Sequence, residues 1–112
     1  MVFQLYTIED KIRRAERFVA NKFGLSEERI RSEIYLVAYL RRKGILGLFN
    51  LYSEKIYLDA DLLHDASLFL LVLTHELVHK AQKSSGRIFD FSRSYLEEQA
   101  YRVEKEFRYL LS

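Results

Sequence analysis

Residues His75-Glu76-Leu77-Val78-His79 set two imidazoles four positions apart, with a carboxylate directly after the first. On an α-helix that spacing puts both rings on one face about one turn apart, where they can share a metal ion. The glutamate between them projects from an adjoining face. From there it reaches a water in an open coordination position without becoming a ligand itself. The chemistry these groups can do together is zinc-assisted hydrolysis, with Glu76 as the general base. The plainer alternative is a hydrogen-bonded or exposed His-Glu-His set with no metal. The surroundings argue against it, because nine of the thirteen residues from Ala66 to Val78 are apolar. A carboxylate buried among them needs compensation, and a zinc ion provides it.

A catalytic zinc takes three protein ligands and leaves a fourth position open. The chain has no cysteine, and its remaining histidine, His64, has no spacing relation to the pair. His64 reads as a surface or helix-start residue, so the third ligand is expected to be a downstream carboxylate. The segment after Ser94 offers Glu97, Glu98, Glu104 and Glu106 beside an apolar stripe of Leu96, Ala100, Val103, Phe107 and Leu110. At about 100° of rotation per residue, Glu97 lies at the edge of that stripe and Glu98 points nearly opposite. Glu97 is the expected ligand and Glu104, two turns on, the reserve. Glu98 and Glu106 are expected on a solvated face with Arg102, Lys105 and Arg108. A hydrolase of this kind also needs a donor facing the developing oxyanion. Tyr95, Tyr101 and Tyr109 are nearest in sequence, although in a chain with eight tyrosines the ordinary role of each is packing.

The elements that must position these groups follow from periodicity. Thr7 and Asp10 resemble a capping box, and Ile8, Ile12, Ala15, Val19 and Phe23 recur at helical steps before Gly24. Glu33 to Leu40 suits either a helix capped by Ser26 or a buried strand, and its β-branched and aromatic content favours the strand. Ile45 to Leu51 and Lys55 to Leu58, separated by Tyr52-Ser53-Glu54, read as a hairpin. Asp61 or Asp65 then caps a helix running through the middle of the domain until Gly86. Phe89 to Ser94 is a connector, with Ser92 or Ser94 capping the last helix. The expected fold is α+β, about three helices with a small three-stranded sheet, in a single domain spanning residues 1–112.

Composition narrows the partners. Eighteen Lys and Arg against sixteen Asp and Glu leave a net charge of +2, with the signs interleaved. No basic stripe with interspersed aromatics is present, so nucleic acid is not an expected partner. The N-terminal residues lack the basic and apolar regions of a signal peptide, which predicts a cytoplasmic protein. The longest apolar run, Leu68 to Leu73, is too short to span a bilayer, so no membrane insertion is expected. Two Asn, three Gln, one Met and no Cys, beside a 30% charged fraction, lean toward a heat-adapted source, while proline-free loops lean the other way.

With His79 followed eighteen residues later by Glu97-Glu98-Gln99-Ala100, the chain resembles the gluzincin zinc peptidases, whose third ligand is a glutamate in an E-x-x-A-D type helix. The strand-turn-strand-helix order before the motif also resembles that tribe, including the catalytic cores of CAAX prenyl endopeptidase-like membrane peptidases. In size, and in its lack of membrane spans, the chain most resembles the minigluzincins, minimal soluble peptidases of thermophilic prokaryotes. The resemblance implies a gluzincin-like minimal core with Zn2+ on His75, His79 and Glu97, and Glu76 as base. It implies a peptide or unfolded protein as substrate. The hairpin strand Ile45 to Leu51 reads either as the place where such a substrate lies extended on main-chain hydrogen bonds or as an ordinary sheet edge. The resemblance further implies a latent zymogen, blocked by its C-terminal segment within one molecule or through a helix-swapped homodimer. One position departs from the pattern. Tyr101 stands where the family usually has an aspartate that orients a ligand histidine, and a phenol does not supply that charge. The competing class is a catalytically weak or inert domain that binds zinc or peptide on a peptidase-like frame.

Overall fold

The computed structural model describes the backbone of residues 2–111 and the side chains of residues 8–111. In chain order the elements are α1 (Val2–Phe23), the single-turn α2 (Glu27–Ile30), β1 (Ile34–Val37), β2 (Gly47–Phe49), β3 (Ile56–Asp59), α3 (Ala66–Ser84), the single-turn α4 (Arg87–Asp90) and α5 (Arg93–Leu111). Short 3-10 turns at Arg41–Lys43 and Ala60–His64 lead into β2 and α3. The fold is α+β, three long helices and a three-stranded mixed sheet of order β1-β3-β2. β1 runs parallel to β3, with Tyr35 opposite Tyr57, and β2 runs antiparallel to it, with Leu48 opposite Tyr57.

Local sequence explains most of the boundaries. Asp65 caps α3, its carboxylate accepting from the Leu68 amide at 3.1 Å, and thereby satisfies one of the free N–H groups of the first turn. Asp59, rather than Asp61, caps the preceding 3-10 turn. Its buried carboxylate accepts from the Arg41 and Asp61 amides, which hold it below the ordinary aspartate range. Ser26 caps only α2, after which the chain becomes β1, a strand as the β-branched content predicts but not the buried one expected, since Tyr35 and Leu36 are exposed. The hairpin turn closes on Asn50, whose side chain accepts from the Tyr52 and Ser53 amides. Gly86 stops α3 at φ 78°, a left-handed conformation that costs glycine nothing. Phe89 and Asp90 belong to α4 rather than to a bare connector, and the Ser92 hydroxyl accepts from the Tyr95 amide at the start of α5.

Two expectations are corrected. The backbone is already helical from Val2, so Thr7 lies inside α1 rather than at its start, and its side chain falls outside the described residues. Leu110 is 49% exposed, so the buried stripe of α5 ends at Phe107. At that end of the helix the neighbour is α1, and the Phe107 ring packs 5.1 Å from Phe18.

The core surrounds α3. Leu73, Leu77, Val78 and Ala81 are completely buried, and the helix packs against α1, α5, β2 and β3. A helix apolar on every side needs neighbours on every side, and these four elements supply them. Among the described residues no helix is long and apolar enough to cross a membrane.

Candidate metal centre

The centre forms where α3 and α5 pack together. His75 and His79 lie one turn apart on α3, both largely buried, with ring centroids 5.0 Å apart. From α5, Glu97 reaches both rings: its Oε2 is 3.3 Å from His75 Nε2 and its Oε1 is 2.6 Å from His79 Nε2. One donor atom from each of His75, His79 and Glu97 falls within 4.8 Å of the others, a grouping able to hold a metal ion. Two imidazoles and a carboxylate are a donor set suited to zinc. Glu98 points away and pairs with Arg102 at 3.5 Å, and Glu106 pairs with Lys22 from α1 rather than with a neighbour on its own helix.

The outer faces of both rings are held as well. His79 Nδ1 is 2.9 Å from Gln82 Oε1, while the Gln82 amide nitrogen donates to the Leu96 carbonyl and to Gln99 Oε1. The Leu96 carbonyl can only accept, which fixes the orientation of the completely buried Gln82 amide. Gln82 Oε1 therefore accepts, and His79 Nδ1 is the donor. Neutral His79 then presents a bare Nε2 lone pair to Glu97. Behind His75, Glu104 Oε1 stands 3.3 Å from Nδ1, on the side of the ring away from Glu97, so Glu104 does not join the ligand grouping for which it was the reserve. Sequence reasoning missed Gln82 and this role for Glu104. Helical spacing, three past His79 and seven past Glu97, was the available signal.

Glu76 sits between α3 and the sheet. Its pKa is raised from 4.5 to about 7, first by burial, against which the His75 charge works, and then by Glu97. The Phe49 amide of β2 also donates toward the carboxylate and offsets part of the burial. β2 comes this close because of Gly47, where an added Cβ would lie 2.8 Å from Val72 Cγ1 and 3.2 Å from Glu76 Cγ. His79 is held below its ordinary value by burial, with the neighbouring His75 charge adding to the effect. Burial also works to lower His75, but Glu104, Glu76 and Glu97 together outweigh it and its pKa is raised.

The three tyrosines separate. The exposed Tyr101 lays its ring against His75, with centroids 4.6 Å apart. Tyr95 stacks on Phe91 at 4.5 Å. Tyr109 is 73% exposed and lies about 12 Å further along α5 than Tyr101 at the usual helical rise. His64 is exposed at the end of the 3-10 turn before α3. No family model, no curated protein and no solved structure matches this chain.

Proposed function

We propose that this protein is a zinc-dependent peptidase acting on extended or unfolded polypeptide. The observation that carries the reading is the convergence of one donor atom from each of His75, His79 and Glu97 to within 4.8 Å of one another. Gln82 occupies the other nitrogen of His79 and leaves its Nε2 turned toward that point, where two imidazoles and a carboxylate would suit zinc.

Bound zinc supplies Lewis acidity, lowering the pKa of a coordinated water and polarising a scissile carbonyl. Glu76, beside the cluster and outside it, takes the water's proton and returns it to the leaving amine. Burial raises its pKa in the metal-free chain, and the charge of a bound dication would lower it again, leaving the carboxylate ionised to act as base. β2 is the free edge of the sheet next to Glu76. Asn50 and Leu46 bond to β3 through Lys55 and Asp59, so by antiparallel alternation the main-chain groups of Gly47 and the Phe49 carbonyl face outward, while the Phe49 amide is turned toward Glu76. A substrate adding to that edge as a strand would be held largely by backbone hydrogen bonds, giving broad specificity. Tyr101, beside His75, is the tyrosine best situated to donate to the developing oxyanion.

Zinc content and cleavage of an unstructured protein, measured for the wild type, Glu76→Gln and Glu97→Ala, test the reading. The wild type is expected to hold stoichiometric zinc and to cut. Glu76→Gln should keep the metal without turnover, and Glu97→Ala should lose both. Turnover unchanged in Glu76→Gln removes the base and favours an inert binding frame, and a wild type that takes up no zinc ends the proposal.

A further inference from the structure

We propose that Glu104 is the positioning residue for His75, holding it as the Nδ1–H tautomer so that its Nε2 lone pair faces the point shared with His79 and Glu97. This rests on the zinc reading above and adds a residue to it. Glu104 Oε1 lies 3.3 Å from His75 Nδ1, with its side chain 18% exposed. Each ring nitrogen faces a carboxylate oxygen at 3.3 Å, Nδ1 toward Glu104 and Nε2 toward Glu97; a metal at the shared point would take the place of any proton on Nε2 and leave the one on Nδ1, since an ionised carboxylate only accepts. Turning the ring over would set a carbon against Glu104 and break the approach to Glu97 at the same time. Arg108, one turn further along α5, stands 3.8 Å from the other Glu104 oxygen.

The same arrangement recurs at His79, where Gln82 accepts from Nδ1. Both ligands are therefore presented through Nε2, one backed by a charge and the other by a neutral amide. The position one turn before Glu104 is Tyr101, whose ring packs against the same imidazole and supplies a wall without a charge. The carboxylate–histidine pairing thus comes from α5 two turns past Glu97. Such partners raise ligand basicity and fix ring orientation, and their loss typically weakens metal affinity 10–100-fold.

The test is zinc affinity by chelator competition on the full chain, with the metal-free melting temperature measured in parallel. Histidine tautomers are read from ring-nitrogen NMR shifts of the wild type. Glu104→Gln, nearly isosteric at a partly exposed site, is the primary variant and Glu104→Ala the second. The expectation is Nδ1–H for His75 and His79 in the zinc-loaded wild type, with zinc binding about 10-fold weaker in Glu104→Gln and up to about 100-fold weaker in Glu104→Ala. Adding Tyr101→Asp to Glu104→Ala returns a carboxylate beside His75 and should recover zinc affinity, which a purely structural role for Glu104 would not allow. A wild type that binds zinc, together with variants that bind it equally well, overturns the inference and leaves the peptidase reading standing. An Nε2–H tautomer for His75 in the zinc-loaded protein does the same. A wild type that binds no zinc overturns both.

Discussion

The Glu76 carboxyl, raised from 4.5 to about 7, keeps a proton in the folded chain over a pH window in which the unfolded chain has released it. Stability supplied by the neutral form is fully present below the unfolded value and is lost as pH rises through the folded one. At neutral pH and above, Glu76 therefore costs the metal-free fold on the order of 2–3 kcal/mol. Glu76→Gln removes that cost. Metal-free Glu76→Gln should be more stable than the wild type at about pH 8 and nearly equal to it at about pH 4, as read by urea unfolding. On the proposed function the same substitution should end turnover, so stability and activity would move in opposite directions at one atom. The residues of the shared point were legible because a helix converts the spacing of His75 and His79 into proximity and the polar edge of an apolar stripe into a direction for Glu97. Glu104 and Gln82 had the helical spacing but not the direction. Glu104 meets His75 across the α3–α5 contact, the Gln82 amide beside His79 is fixed by Leu96 and Gln99 of α5, and the rotation with which α5 docks is not written in either segment alone.

At the scale of elements, β2 is the piece on which the arrangement near Glu76 turns. Gly47 is the place where the hairpin and α3 come together, and a methyl group there meets Val72 and Glu76 at once. Gly47→Ala should lift the strand from the helix and destabilise the protein by about 1–3 kcal/mol. Because the Phe49 amide would move with it, Glu76 would lose a donor, and any hydrolytic activity should fall further than stability alone explains. Matched assays of urea unfolding and turnover separate the two effects. The cap on α3 gives a simpler expectation: Asp65→Ala should cost about 1 kcal/mol in unfolding free energy, with metal affinity unchanged. The strand at Ile34–Val37 and the hairpin were readable from composition and turn residues. The pairing of β1 with β3 rather than with β2 was not, because the period of a strand says which residues share a face and nothing about which strand lies alongside.

At the scale of the molecule, one helix serves two purposes. α5 brings Glu97 and Glu104 to the centre, and further along it buries Phe107 completely against α1. Phe107→Ala should cost about 3–5 kcal/mol. Since the docking of α5 is also what delivers Glu97, zinc affinity should weaken with it, a linkage visible as a melting temperature that depends steeply on free zinc. The expectation that a C-terminal segment blocks the cleft meets a limit here, for what is released can only lie beyond Phe107 if the centre is to survive.

The order of synthesis gives this shared duty a further meaning. A ribosome makes both histidines and Glu76 well before Glu97, Glu104 and the phenylalanine that anchors their helix. Throughout that interval the emerging polypeptide has a pair of imidazoles and nothing opposite them, so it cannot close a coordination sphere or attack its neighbours. Whatever hydrolytic power the finished molecule has is withheld until translation has passed position 107 and the helix has docked.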